Sequence, residues 1–231
     1  RIDGTMGNLE YSAEARNCLI AINDSVYVAA IVHDHYNELT NQFDTLKSGL
    51  IFFNKDGDTL FSRWFGETKR FIVRGFERID NELFLTGVTK IIGDGTKGFV
   101  VKTDLQGNLI WEKLLTQYTM YYCGAMGICK SNSSYLVSGA FNFNSDPLPD
   151  SLRFGYTGIY KLDVDGNVIW YKNIFKDKAF GMWKIMNDNT GNYLLIGDTD
   201  SVQNVTDYKN NIFISKIDSN ANIIWTHIFN E

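Results

Sequence analysis

The sequence has little of what marks a disulfide-stabilised, membrane-spanning or nucleic-acid-binding chain. Its 231 residues include three cysteines, two prolines and three histidines. Cys18, Cys123 and Cys129 show no CxxC or zinc-ligand spacing, which predicts neither a disulfide framework nor a metal site and favours buried small side chains. No apolar run approaches the roughly 20 residues of a membrane helix. The net charge is −5 and no Lys/Arg run exists, which argues against a nucleic-acid partner.

What the chain does have is one short phrase, repeated. A turn residue, Gly in all copies but one, is followed by Asn or Asp, two mostly apolar residues and an aromatic. The four clear copies, with a worn echo at the front, are Gly57-Asp58-Thr59-Leu60-Phe61, Gly107-Asn108-Leu109-Ile110-Trp111, Gly166-Asn167-Val168-Ile169-Trp170, Ala221-Asn222-Ile223-Ile224-Trp225 and Gly7-Asn8-Leu9-Glu10-Tyr11. A second landmark, an alternating strand in each repeat, ends at residues 31, 87, 139 and 197 and has the same spacing. Two landmarks with one period of 50 to 60 residues predict a repeat architecture.

Each repeat predicts four short strands. The first strands are 18–22, 71–79, 125–130 and 182–187, a polar turn follows, and the second strands end at the landmark. The third strands are 49–53, 98–103, 158–162 and 212–217, and the fourth strands carry the phrase. Asp104 and Asp163 open tight turns in which Gly adopts positive φ, so the aromatic four residues later lies on the same strand face and can pack between neighbouring sheets.

The predicted fold class is all-β, a β-propeller of four-stranded antiparallel blades. Helical solenoids lack the required 3.6-residue period, and a sandwich gives no reason for the repeated turn and aromatic. We expect one domain over 1–231, with units at about 13–66, 67–116, 117–176 and 177–231. Residues 1–12 then form the last strand of a preceding or closing blade. Four full repeats plus one extra strand indicate a five-bladed ring or an arc of a larger propeller.

The phrase also supports a family resemblance. The pattern Lys-x-Asp-x-x-Gly-Asn-φ-Ile-Trp, where φ is an apolar residue, occurs at 102–111 and 161–170, and at 216–225 with Ala for Gly. It resembles the blade repeat of quinoprotein-dehydrogenase-like (PQQ-like) propellers, and is closest to divergent repeats of secreted and surface proteins of Bacteroidota. The resemblance implies the fold and an extracellular or cell-surface location, with the periplasm as an alternative. It implies no activity, because that fold carries many functions.

Candidate chemistry is sparse. The Asp-Gly turns lack the ligand order of a calcium loop, and His33-Asp34-His35 lacks further zinc ligands and is predicted to be a polar loop. The quinone cofactor of the resembling enzymes needs eight blades and a Cys-Cys pair, which this chain lacks. Glycosidases use paired carboxylates, and the acidic residues near first strands do not recur at one position: Glu14, Glu77 and Asp80. We therefore predict no cofactor, no metal and no enzymatic activity, with a propeller glycosidase as the last alternative.

The connections between second and third strands are predicted to be long and dissimilar, at 32–48, 89–97, 141–157 and 198–211. Function tends to sit where loops vary on a rigid scaffold, and exposed aromatics suit protein or sugar recognition. The predicted ligand-binding residues lie on these loops and on the links between blades: Tyr36, Phe43, Tyr121, Tyr122, Phe143, Phe154, Tyr156 and Tyr208. We expect a protein-interaction or scaffold module that uses this face, with a carbohydrate-binding module as the alternative.

Overall fold

The computed structural model describes residues 18–37, 42–65, 70–90, 96–115, 123–141, 156–175, 180–202 and 208–229. These ranges contain strands and turns and no helix. Accordingly, the described ranges offer no helix of the length and apolarity that crossing a membrane requires.

Sixteen strands form four antiparallel sheets, and each sheet is built from four consecutive strands. The first sheet contains β1 (Leu19–Ala21), β2 (Val26–Asn37), β3 (Gln42–Asn54) and β4 (Thr59–Phe65). The second contains β5 (Arg70–Ile79), β6 (Glu82–Lys90), β7 (Thr96–Asp104) and β8 (Leu109–Leu115). The third contains β9 (Cys123–Ser131), β10 (Ser134–Phe141), β11 (Tyr156–Leu162) and β12 (Val168–Phe175). The fourth contains β13 (Phe180–Asn187), β14 (Tyr193–Val202), β15 (Tyr208–Ile217) and β16 (Ile223–Phe229).

Consecutive sheets pack face to face, and the first strand of each sheet lies against the sheet before it. β5 contacts β2 and β3, β9 contacts β5, β6 and β7, and β13 contacts β9, β10 and β11. Three apolar cores result, one at each of these junctions. Phe52 of the first sheet shares a core with Leu85 of the second, and Leu136 of the third shares one with Phe213 of the fourth. Burial of these side chains is the main force that holds neighbouring sheets together.

The turns between third and fourth strands have the predicted geometry. Gly57, Gly107 and Gly166 have φ of 87°, 75° and 79°, and Ala221 has φ of 57°. In the second sheet Asp104 Oδ1 accepts hydrogen bonds from the backbone N–H groups of Gln106 and Asn108, at 2.9 and 2.8 Å. The Asp side chain thus satisfies backbone donors inside the turn, which explains why an acidic residue recurs at this position.

Several strands are longer than the sequence indicated. β2 continues to Asn37 and β3 begins at Gln42, where a loop over 32–48 was expected. β14 continues to Val202 and β15 begins at Tyr208, where a loop over 198–211 was expected. The His33-Asp34-His35 segment belongs to β2 and is not a loop. The extensions contain mostly polar residues, and their few apolar or aromatic residues do not alternate regularly, so the sequence pattern gave no strand signal there. The predicted strand of residues 7–12 lies outside the described residues.

Candidate functional site

The two ends of each sheet are built differently. The hairpins between first and second strands and between third and fourth strands close at one end, here called the turn end. The connections between second and third strands emerge at the opposite end, together with the links from sheet to sheet; this is the loop end. The predicted binding residues belong to the loop end, so the arrangement of the strands at that end is described first.

Two ribbons extend from the sheets at the loop end. In the first sheet β1 stops opposite Ala29 and β4 stops opposite Ser48, whereas β2 and β3 remain paired as far as Asn37 and Gln42. The first ribbon, residues 33–37 and 42–47, therefore projects as a two-stranded element. In the fourth sheet β14 and β15 pair as far as Val202 and Tyr208, beyond the last partners of β13 and β16; residues 200–202 and 208–210 form the second ribbon. The second and third sheets have no such extension among their described strands.

The predicted binding residues are distributed over these ribbons and the segments beyond them. Tyr36 is paired with Phe43 across the first ribbon, and Tyr208 is paired with Val202 in the second. Tyr156 opens β11 opposite Phe141. These four residues lie in strands and not in loops, which corrects the sequence prediction. Their side chains lie outside what the structure describes, as do all atoms of the remaining four, so their role in binding stays a prediction: Tyr121, Tyr122, Phe143 and Phe154.

The first strands of the second, third and fourth sheets each contain a β-bulge that the sequence did not reveal. Arg74, Met126 and Trp183 are the extra residues, which the pairing register with the second strand skips. The bulge faces Gly87 in the second sheet, and a Cβ on that residue would lie 2.0 Å from the carbonyl oxygen of Ile72. In the fourth sheet a Cβ on Gly197 would likewise lie 1.9 Å from the carbonyl oxygen of Gly181, so the bulges require glycine at this position of these two second strands. Bulges often redirect side chains near functional sites.

The bulged strands approach one another closely. A Cβ on Gly75 would lie 2.3 Å from the carbonyl oxygen of Met126, and one on Gly127 would lie 3.1 Å from the backbone nitrogen of Ile185. Glycine allows this contact because no side chain separates the backbones. The first strands of three consecutive sheets thus meet along one inner edge.

Charged side chains cross that inner edge. Glu77 Oε1 of the second sheet lies 2.9 Å from Lys184 Nζ of the fourth sheet, and the two side chains are 26% and 34% exposed. Cys129 of the third sheet is buried beside them; burial first, and the Glu77 carboxylate second, raise the pKa of its thiol well above the usual range. A neutral, buried thiol is a poor nucleophile. Glu77 and Asp80, the carboxylates considered for hydrolysis, each form an ion pair with a lysine, Lys184 and Lys130 respectively.

A metal centre finds no support among the side chains that the structure describes. Within that part of the chain, no group of three or more His, Cys, Asp or Glu side chains is arranged to hold a metal ion. The imidazoles of His33 and His35 are outside that set, although their backbone pairs with Lys47 and Thr45 in the first ribbon.

At the turn end, the repeated phrase joins one sheet to the next. The Trp111 indole N–H donates to the carbonyl of Val164 in the following turn at 3.0 Å, and a Cβ on Gly166 would lie 3.1 Å from the indole ring. Lys113 Nζ donates to Asn167 Oδ1 at 3.1 Å. Hydrogen bonds from Asn167 lead the causes that lower the pKa of Asp163, and the Lys113 charge adds to them. The same contact recurs one junction later, between Lys172 and Asn222.

The lysine of the repeated pattern is also structural. Lys102 Nζ lies 2.8 Å from Glu82 Oε1 and donates to Tyr135 Oη at 3.1 Å, with the Phe84 and Trp111 rings at 5.7 and 5.9 Å. Burial opposes the charge, but the hydrogen bonds to Glu82 and Tyr135 outweigh it and raise the pKa of the ammonium. An ammonium held among aromatic rings and a carboxylate is stabilised where it lies, so Lys102 has a structural role in the second blade.

Comparisons with known structures agree on architecture alone. The chain is similar to cobalt-substituted Synechocystis ACO (9% identity, TM-score 0.51), covering 88% of this chain and 46% of that one. It is similar to the hydrazine synthase of Kuenenia stuttgartiensis (7% identity, TM-score 0.50), covering 86% and 62%. These likenesses and the four consecutive four-stranded sheets decide the fold. The chain is a β-propeller. Each sheet is one blade.

A third similar structure is the GH43 endo-arabinanase of Bacillus licheniformis, at 10% identity and a TM-score of 0.49 over 92% of this chain and 78% of that one. No protein-family model and no curated protein sequence matches the chain. The chain spans 57% and 47% of the lengths of two further similar structures, a subtype N11 neuraminidase-like protein and the Pan2 WD40 domain of Neurospora crassa.

Proposed function

We propose that this propeller is a non-enzymatic binding module that holds a protein partner at its loop end. The observation that carries the proposal is the pair of ribbons, which project past their own blades at the same end. The proposal includes an extracellular or cell-surface location, which rests on the resemblance of the phrase to PQQ-like blades of secreted proteins.

The ribbons favour a partner that supplies an extended segment. In the first ribbon β2 has passed the end of β1, and β3 has not yet met β4, so the described strands leave both ribbon edges without a neighbour. Strand edges offer rows of backbone N–H and C=O groups that an extended peptide can pair with. Tyr36 is paired with Phe43 in this ribbon, and aromatic residues are the type that most often carries binding energy at interfaces. The combination suits β-strand addition reinforced by side-chain contacts.

Two other functions are less well supported. A carbohydrate-binding module would use the same aromatic positions to stack on sugar rings, and it remains the alternative. A glycosidase needs two carboxylates placed for acid and base or nucleophile roles. Glu77 and Asp80 are instead committed to lysine partners.

Selection from a random-peptide phage library tests the proposal. The immobilised chain is compared with a loop-end variant, Tyr36→Ala/Phe43→Ala/Tyr208→Ala. The control Leu109→Ser/Ile110→Ser changes two apolar side chains that are 54% and 50% exposed at the turn end. We expect the parent chain and the control to bind the selected peptides, and the loop-end variant to lose at least about tenfold in affinity, since hot-spot aromatics carry most binding energy.

A glycan array with the same three proteins distinguishes carbohydrate binding from protein binding. Saturable glycan binding that only the loop-end variant loses, without peptide enrichment, would establish the carbohydrate reading instead. Peptides that bind all three proteins equally would contradict any role for the ribbons.

A further inference from the structure

Each blade ends in an outer strand whose far edge has no partner among the described strands. The outer strands are β4, β8, β12 and β16, and each of them pairs only with the third strand of its own blade. Such an edge offers backbone N–H and C=O groups to any extended segment that reaches it, from another copy of the chain or from a partner. A partner that adds a strand therefore meets these four edges as well as the ribbons.

Every outer strand contains a β-bulge at the same position of the repeated phrase. In the second blade Thr103 pairs with Leu109 and Lys102 pairs with Trp111, so the register skips Ile110. The other three blades skip the equivalent residue. The extra residues are all aliphatic and about half exposed: Leu60 (49%), Ile110 (50%), Ile169 (54%) and Ile224 (51%). The bulge is therefore a property of the repeat and not of one blade.

The bulge shortens the regular part of each outer edge. A β-bulge bends the strand that carries it and leaves the extra residue out of the ladder, so an added strand cannot follow the edge through it. Beyond the bulge the pairs stay in register over 61–65, 111–115, 170–173 and 225–229. The run in β12 is the shortest because the register skips a further residue there, Ile174. Each outer edge thus offers a regular run of only four or five residues.

A basic residue occupies the third position of each of these runs. These residues follow the bulged one at a distance of three: Arg63, Lys113, Lys172 and His227. In the first and second blades this is the central position, so two copies of the run that pair antiparallel in full register bring Arg63 or Lys113 opposite its own copy. Like charges directly opposite one another destabilise a strand pair, and lysine on an edge is a common protection against strand addition.

The ribbon edges lack this combination. β2 stays in the ladder from Val26 to Asn37 with no extra residue of its own, because the residue that the register skips in the first ribbon is Asp44 of β3. β14 and β15 pair without any register shift. The part of β2 in the first ribbon, residues 33–37, contains no Lys or Arg. The described strands therefore combine bulged, basic outer edges with regular ribbon edges.

We propose that the bulge and the basic residue after it prevent strand addition at the outer edges, and so direct an extended partner segment to the ribbons. The four bulged residues are then specificity-determining residues that act through the backbone register and not through contact with the partner. Specificity obtained by closing the competing sites is a recognised strategy of proteins. The choice of the ribbons rests on the proposed function, whereas the closure of the outer edges does not.

A variant with one opened outer edge tests this proposal. Thr103 and Lys102 are neighbours in β7, so deletion of Ile110 makes Leu109 and Trp111 neighbours as well and preserves both pairs. The test variant combines this deletion with Lys113→Thr. The matched control, Ile110→Ser with Lys113→Thr, loses the same charge and the same aliphatic side chain but keeps the bulge.

Sedimentation velocity over a range of protein concentrations compares the parent chain, the test variant and the control. We expect the test variant to associate at a concentration at least about tenfold lower than either of the others, because only its edge is regular and uncharged. Hydrogen exchange in residues 111–115 should slow when it associates, since an added strand covers these amides. A test variant that associates no more readily than the control overturns the proposal, and so does association without slower exchange in 111–115.

The first blade offers the same comparison, which keeps the test decisive where deletion of Ile110 prevents folding. Deletion of Leu60 with Arg63→Thr is the variant, and Leu60→Ser with Arg63→Thr is its control. Thr59 and Phe61 pair with the neighbouring residues Phe53 and Phe52, so this deletion also preserves both pairs. The same difference in association is expected, and its absence overturns the proposal.

Peptides selected on the immobilised parent chain distinguish this inference from the proposed function. They are expected to slow exchange in residues 33–37 and to leave 111–115 unchanged. A peptide that slows exchange in 111–115 of the parent chain contradicts the closure of the outer edges. A library that yields no peptide contradicts the proposed function alone, because the association of the deletion variants still decides whether the outer edges are closed.

Discussion

Phe65 and Phe229 offer a matched pair for measuring what a blade junction contributes. Both are phenylalanines, both lie four residues after the phrase aromatic, and both belong to the fourth strand of a blade. They differ in exposure, 6% against 55%, because a following blade covers only Phe65. Replacing each with alanine therefore removes the same atoms from two environments.

The expected losses differ several-fold. Phe65→Ala removes a buried ring and leaves a cavity in the core between the first and second blades, which costs about 3–5 kcal/mol of unfolding free energy. Phe229→Ala removes a ring that is more than half in water and encloses no cavity, so we expect a loss of about 1 kcal/mol or less. In a chain of this size the first change lowers Tm by roughly 6 °C or more, and the second by a few degrees at most.

Urea unfolding followed by circular dichroism measures both values. Equal m values for parent and variants license the comparison, because they show that the same surface is exposed on unfolding. Equal losses for the two variants would refute the reasoning, since they would mean that Phe229 is covered as fully as Phe65.

Three further outcomes follow from described contacts. Gly57→Ala is expected to cost about 1 kcal/mol through positive φ alone, whereas Gly166→Ala adds a clash with the Lys113 and Trp111 side chains and costs about 1–3 kcal/mol more in chemical denaturation; equal costs would contradict the turn packing. Hydrogen bonds from Asn167 lower the pKa of Asp163 below its usual 3.8. As pH falls, the unfolded chain is therefore protonated at this group first, and the free energy of unfolding declines from about pH 4 downward. Asp163→Asn should make the free energy of unfolding less dependent on pH in this range, and an unchanged dependence would argue against the hydrogen bonds in the turn. Cys129 is buried with a raised pKa, so peptide mapping after iodoacetamide treatment should find it labelled only in denaturant; rapid labelling of the folded protein would contradict that burial.

The repeat could be predicted because its signals are local. The Asp104 turn, its positive-φ glycine and the aromatic four residues later are defined by neighbouring residues, and the structure confirms each of them. The packing of Trp111 on the following turn also follows from the strand alternation, because a large ring repeated at one face needs a surface to cover it.

The features that the sequence did not reveal depend on contacts between distant residues. The bulges at Arg74, Met126 and Trp183 leave only an unexplained glycine on the opposite strand as their trace. The ribbon residues do not alternate regularly between apolar and polar, so alternation gave no sign that β2 continues to Asn37. The ion pair between Glu77 and Lys184 joins the second and fourth blades, and no sequence pattern links residues so far apart. Binding residues at the loop end stay a prediction for the same reason.

The central claim is that each blade is stabilised by the apolar face of its neighbour. Hydrogen exchange in β8 and β16 tests this claim most directly. Both are outer strands that pair with one partner each, β7 and β15, so their hydrogen-bond ladders are equivalent and only the covering of their forward faces, the faces that point toward the next blade, differs. In dilute solution we predict that residues 223–229 exchange much faster than residues 109–115, because their forward face is exposed. Equal protection of the two strands in dilute solution would contradict the account.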